Sequence, residues 1–234
     1  MSITAKLAKA FMNLASGKPA RSAEELLTQA RKYNAKNPFV KPSDRKAEYR
    51  VEKIRDDRDL LIVRSNKRTD NINCAVLFIF GAGGMMNAWK PHMMMVRNIA
   101  DKTGAEVFMP LYPLCTDAPI SAAVETAYET YKRILNDYPA EKVVITGDSS
   151  GADCCLSLIS MINMSGEGLK MPKLAILHSP GGVPHNEDSW SRMREQSKKD
   201  APGTLSMVEF FPEICGHGED VPDYMIYTTL GDYH

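Results

Sequence analysis

The chain has 234 residues, enough for one sizeable core, and 44% of them are hydrophobic. Lysine plus arginine and aspartate plus glutamate number 29 each, so no summed field draws the chain to nucleic acid or to an anionic membrane surface. Five cysteines, Cys74, Cys115, Cys154, Cys155 and Cys215, sit in apolar segments without a C-x-x-C pair, which excludes a disulfide framework and fits a reducing cytoplasm.

Residues 1–23 carry Lys6, Lys9, Lys18 and Arg21 and no acid, but Leu7, Phe11 and Leu14 are helically spaced and form no continuous apolar run. A helix lying on the domain is expected over 4–15, and a second over 22–33, where Ser22 followed by Glu25 reads as a capping box. Pro38 and Pro42 end this region. No run approaches the roughly 18 apolar residues that a bilayer span needs, so the chain is expected to be soluble and to hold no integral membrane segment.

Within the charged stretch 41–58, Tyr49 and Val51 alternate with charges and predict an edge strand, with another over 60–63. From Cys74 onward, short apolar runs alternate with helical segments, the signature of an open, mainly parallel sheet with helices on both faces. Strands are predicted over 75–80, 106–111, 143–146, 174–178 and 224–229, and helices over 88–102, 121–135 and 151–164. The last of these helices has hardly any polar side and belongs in the centre of the fold. Residues 181–223, with four prolines, are too long for an ordinary connection and read as an irregular lid. The organisation expected is N-terminal helices contributing to a cap over 1–45, a core over 46–180, a lid over 181–223, and a last core strand with its loop over 224–234.

The strand over 143–146 runs straight into Gly147-Asp148-Ser149-Ser150-Gly151 and then the buried helix, which places G-x-S-x-G on a strand-to-helix turn. A serine forced into such a turn needs neighbours without bulk two residues to either side, and Gly147 and Gly151 supply that space. The helix N-terminus then points free amides at any oxyanion forming beside Ser149, with the N–H of Ser150 as the first donor. An earlier strand ends in Gly81-Ala82-Gly83-Gly84, another turn whose amides can reach a ligand closely. A nucleotide-binding reading of that turn fits poorly, because G-x-G-x-x-G would need glycine where Met86 stands and no phosphate-binding G-K-S/T follows. No cofactor and no metal site is expected.

Four stretches together resemble the α/β-hydrolase superfamily, and within it the hormone-sensitive-lipase-like esterases. Gly81-Ala82-Gly83-Gly84 stands where those enzymes have H-G-G-G, Leu111-Tyr112-Pro113-Leu114 resembles their Y-R-L-A-P stretch, Gly147 to Gly151 resembles their G-D-S-A-G elbow, and Ser179-Pro180 follows the next strand. The resemblance implies an α/β-hydrolase fold, Ser149 as nucleophile, and the amides of Gly83, Gly84 and Ser150 as the oxyanion hole. It also implies a small-molecule acyl ester as substrate.

A catalytic serine needs a base, and in this superfamily the order along the chain is serine, acid, histidine. Asp232 is the expected acid, two positions short of the family's usual slot, which His234 fills. The histidine should lie a further strand downstream, so the fold is expected to be C-terminally incomplete. Of the other histidines, His92, His185 and His217 have structural readings, and His178, at a strand end on the same sheet edge as Ser149, is the candidate substitute base. Asp153 suits a helix N-terminus, although its charge would oppose a nearby oxyanion. Two readings result: a serine hydrolase acting on small carboxylic esters through a Ser149 acyl-enzyme, or a truncated or degenerate relative that binds acyl ligands without efficient catalysis. An unpaired sheet edge left by the missing segment would promote self-association into a homo-oligomer.

Overall fold

The computed structural model of the chain describes residues 20–67, 73–198 and 204–234. The helix expected over 4–15 lies outside them. Helix α1 (Ala23–Lys36) begins at Ser22, whose hydroxyl accepts from the Glu25 amide at 3.1 Å. The Glu25 carboxylate reaches the Arg21 amide at 2.9 Å, one residue further out than in a reciprocal capping box.

Strands β1 (Ala47–Arg55) and β2 (Arg58–Ser65) form a hairpin at one edge of a six-stranded sheet, followed by β3 (Ala75–Ile79), β4 (Glu106–Leu111), β5 (Val143–Asp148) and β6 (Leu174–His178). The spatial order is β1-β2-β4-β3-β5-β6. Pairing is antiparallel for β1/β2 and β2/β4 and parallel for β4/β3, β3/β5 and β5/β6. The open, mainly parallel sheet expected from the alternation of apolar runs is therefore what forms.

Every residue of β3 is buried, and the Leu77, Phe78 and Ile79 side chains belong to a core shared with Phe108, Met109, Tyr131 and Ile145. The edge strands read differently: β1 alternates along its length, and β6 shows a half-exposed alternation with Leu174 and Ile176 at 51% and 43% exposure. Parallel strands need crossovers, and these are α2 (Lys90–Thr103), α3 (Ile120–Leu135) and α4 (Ser150–Met164). Helix α2 packs on β2 and β4, whereas α3 and α4 pack on each other over β3, with α4 also reaching β5 and β6.

Two expectations are corrected. The described residues of 181–223 are largely helical, with α5 (Glu187–Ser197) capped by the Asn186 side chain on the Ser189 amide and α6 (Thr204–Gly216) containing Pro212. The expected strand over 224–229 is instead a short helix α7 (Asp223–Ile226) followed by a 3-10 turn (Thr228–Leu230). That run of aromatic and β-branched residues is short enough to read either way. Pro222 starts a helical turn, Met225 and Thr228 are buried, and the Tyr224 carbonyl meets Ser157 of α4, so the segment caps helices and leaves β6 as the last strand. Helix α1 packs on α6.

Candidate active site

The turn at Ser149 is as tight as the glycine spacing requires. Ser149 has φ 52° and ψ −128°, a conformation that costs a non-glycine residue energy and that persists only where the surroundings impose it. The surroundings are backbone. A Cβ on Gly147 would lie 2.5 Å from the Gly151 carbonyl and 2.8 Å from the Ile79 oxygen. A Cβ on Gly151 would lie 2.7 Å from the Phe80 carbonyl and closer still to the Ile79 oxygen. The Ser149 amide donates to the His178 carbonyl at 2.8 Å, and the Ser149 carbonyl opens α4 by accepting from Ala152 at 2.8 Å. Ser150, as the first residue of α4, carries an amide with no acceptor inside the helix.

The glycine-rich turn comes to the same place. Ala82, Gly83 and Gly84 have φ of 97°, 68° and 67°, a left-handed stretch that reverses the chain directly after β3. Its first residue is pinned by Asp148, whose carboxylate accepts the Gly81 amide at 3.1 Å. Tyr112 stacks on Phe80 with ring centroids 4.3 Å apart and donates to the Phe80 carbonyl at 2.5 Å, fixing the strand end from the other side. The Cys115 amide closes on the Gly84 carbonyl at 2.7 Å. The stretches around 81–84, 111–114 and 147–151 therefore converge.

Gly83, Ser149, Ser150, Asp153, Val183 and Phe211 contribute to one small cavity of about 50 Å³, roofed also by Met207 and Val208 of α6. Gly84 does not line it; its position faces Cys115. Asp153 lines the cavity wall with both carboxylate oxygens occupied, accepting from the amides of Gly181 at 3.0 Å and Gly182 at 3.3 Å. Burial pushes its carboxyl above the usual range, against those two amides, which lower it. The opposition to an oxyanion expected from its charge is thus reduced by two bonds that also hold down the loop after β6.

Asp232 is not brought to this site. Its carbonyl accepts from Asn163 near the end of α4, and its carboxylate accepts the His234 amide at 3.2 Å. Asn163 lies fourteen residues along α4 from Ser149, about 20 Å at the rise of an α-helix. The physical reason is local: residues 223–230 form helical turns against α4, so the segment that follows stays with that helix and not at the sheet edge. His178 ends β6 in register with Asp148 and holds the Ser149 amide through its backbone, while the residue itself is exposed. His185 is engaged elsewhere, Nδ1 with Thr229 and Nε2 with Asn186, and His217 is exposed after α6. Among the described residues no histidine ring is hydrogen-bonded to Ser149, no group of three or more metal-ligating side chains occurs, and no helix is long and apolar enough to cross a membrane.

Sequence reasoning missed His92. It is fully buried beneath the glycine turn, with Nε2 3.7 Å from the Asp148 carboxylate. Its only local signal, a helix start at Lys90-Pro91, says nothing of a partner 56 residues away.

Comparisons with known proteins identify the fold. The family model described as alpha/beta hydrolase fold matches residues 76–232. An esterase of Acinetobacter venetianus is 26% identical over 106 residues, 45% of this chain and 34% of that protein. An acetyl-hydrolase of Streptomyces hygroscopicus is 27% identical over 106 residues, 45% of this chain and 35% of that protein. The match thus spans about a third of the length of these curated relatives. Among solved structures, an esterase/lipase from an uncultured bacterium superposes with TM-score 0.69 at 20% identity, covering 100% of this chain and 75% of that one. An esterase from the bacterial hormone-sensitive lipase family gives TM-score 0.65 at 15% identity, covering 95% and 72%. With two thirds of its length matched by the family model and its fold shared with these structures, the chain belongs to the alpha/beta hydrolase fold family.

Proposed function

We propose that this chain carries the nucleophile and the oxyanion-binding amides of an esterase for short carboxylic esters. The observation that supports this most directly is Ser149 at φ 52°, on a turn where Gly147 and Gly151 are crowded by backbone, opening on a small cavity with Gly83 and Ser150. In this reading the Ser149 hydroxyl attacks the acyl carbon, its proton passes to a base, and the carbonyl oxygen becomes an oxyanion held by the amides of Ser150 and of the Gly83–Gly84 turn. Each such donor typically lowers the barrier by about 3 kcal/mol. Collapse of the tetrahedral species expels the alcohol, and water then releases the acid from the acyl-serine. The names of the two curated relatives, an esterase and an acetyl-hydrolase, support ester hydrolysis as the reaction class. The small cavity walled by the apolar side chains of Val183, Met207, Val208 and Phe211 favours a short apolar acyl group.

The test is labelling by a fluorophosphonate probe, with a short p-nitrophenyl ester as substrate. Wild type should label at Ser149 and release p-nitrophenol from the acetate faster than from the octanoate, and Ser149→Ala should do neither. A folded wild-type chain that takes no label would reject the reading.

A second reading is that the chain binds acyl compounds without efficient turnover. It is favoured by the placement of Asp232 about 20 Å along α4 from Ser149. His178 is the candidate base that separates the two: loss of labelling in His178→Ala supports catalysis through that side chain, and an unchanged slow rate supports the binding reading.

A further inference from the structure

We infer that His92 is a positioning residue for the oxyanion-binding turn, acting through the Asp148 carboxylate; the inference rests on Ser149 being a nucleophile.

A main-chain neighbour sets the ring's tautomer. The Trp89 amide donates to His92 Nδ1 at 3.2 Å, so Nδ1 carries a lone pair and the proton of the neutral ring is on Nε2. That nitrogen is buried and has no hydrogen-bond partner among the described residues. It faces Asp148 Oδ2 at 3.7 Å, a donor aimed at a carboxylate some 0.7 Å beyond ordinary hydrogen-bond length. A buried donor left unsatisfied carries a free-energy penalty, and a short approach removes it by making a charge-assisted bond. Phe80, with its centroid 5.5 Å from the imidazole, and Trp89 hold the ring in this orientation.

Asp148 is where this contact acquires consequences. Its other oxygen, Oδ1, accepts the Gly81 amide at 3.1 Å. A Cβ on Gly81 would stand 2.8 Å from Oδ2, so the glycine turn is pressed directly against this carboxylate. The terminal torsion of an aspartate is soft and two-fold, and a single bond from Gly81 does not fix it. A second donor on Oδ2 does. His92 therefore fixes the plane of the carboxylate, the carboxylate fixes Gly81, and Gly81 sets where the left-handed stretch to Gly83 and Gly84 begins relative to Ser149. An error of about 1 Å in such amides costs on the order of a hundredfold in rate. The elbow and the oxyanion turn come from different strands, β5 and β3, and His92 is the third element, from α2, that closes the arrangement.

Two variants separate this role from simple helix capping. His92→Asn retains an acceptor for the Trp89 amide but cannot reach Asp148. His92→Gln extends a donor to where Nε2 stands. Phosphonylation of Ser149 is measured as a function of probe concentration and resolved into binding and first-order reaction, alongside thermal unfolding. The reaction constant of His92→Asn should fall at least tenfold with probe binding within about twofold, and His92→Gln should recover to within about threefold of wild type. An unchanged reaction constant in His92→Asn, or equal losses in both variants, overturns the inference. A second measurement stands apart from catalysis: nitrogen-15 NMR should show His92 as the Nε2-protonated tautomer, with its Nε2 resonance displaced in Asp148→Asn. A wild-type chain that takes no label rejects the esterase reading, and the NMR then decides alone, an Nε2 signal indifferent to Asp148→Asn overturning the contact itself.

Discussion

The amide of Ser149 donates to the carbonyl of His178 at 2.8 Å, so the strained serine is tied to the end of the neighbouring strand as well as to its own helix. The strain is stored in the turn because β5, β6 and α4 together leave the serine no other conformation. Replacing Ser149 by glycine should therefore stabilise the fold by about 1 kcal/mol while abolishing labelling. At about 2–4 °C per kcal/mol for a chain of this size, differential scanning calorimetry should show a raised Tm. An unchanged or lowered Tm would mean that the turn is unstrained.

Gly151→Ala should do the opposite. Its Cβ would meet the Phe80 carbonyl at 2.7 Å and the Ile79 oxygen closer still, and these are main-chain atoms of the central strand's end that cannot swing aside. A loss of about 1–3 kcal/mol in urea unfolding is expected, with phosphonylation of Ser149 slowed at least tenfold. Wild-type stability in this variant would show the turn to be looser than drawn.

Glu106 governs the acid limb of stability. Burial raises its carboxyl, but hydrogen bonds from Arg64 and Tyr138 and the charges of Arg64 and Arg50 outweigh burial and hold it below the usual glutamate value. A depressed folded value means that its contribution is present above the unfolded value and is lost as pH falls through the folded one. Unfolding free energy should thus decline below about pH 4.5, and Glu106→Gln should flatten that decline and cost about 2 kcal/mol at pH 7. Parallel pH profiles of the two proteins would contradict this.

The thiols should divide one against four. Cys74 is half-buried, whereas Cys115, Cys154, Cys155 and Cys215 are buried, and burial pushes the last three up, away from the reactive thiolate. Ellman's reagent at pH 8 should find one fast thiol in the folded chain and five after denaturation. Two or more fast thiols would show the contact between Cys115 and Cys215, 4.0 Å apart, to open readily.

Strand β6 ends the sheet with Leu174 and Ile176 exposed, and an unpaired edge carrying apolar side chains pairs with other edges. Sedimentation should detect a concentration-dependent dimer or larger species in the wild type, and Ile176→Lys should shift it towards the monomer. A monodisperse wild-type monomer would count against the edge as a sticky surface.

Much of this architecture was readable in the residues because it rests on local rules. The runs over 75–80, 106–111 and 143–146 are rich in apolar and β-branched residues, and they became β3, β4 and β5 within two residues. The elbow was legible because its glycines answer a steric demand made by their own neighbours. Segment 224–229 was misread because a short run of aromatic and β-branched residues suits strand or helix alike, and packing against α4 decides between them, which is a tertiary matter. Asp232 followed it to the wrong place for the same reason. His92 was invisible as a functional residue, since its meaning lies in Asp148, and nothing within a few positions of either residue announces the other.

Asp153 stands one turn into α4 and grips Gly181 and Gly182, so the helix that begins beside the serine also tethers the loop after β6 that lines its cavity. Ser149 and that loop share one lever. A change that rotates or slides α4 must disturb both together, and tuning for a roomier substrate has to proceed through Met207, Val208 and Phe211, which can be altered without moving that lever.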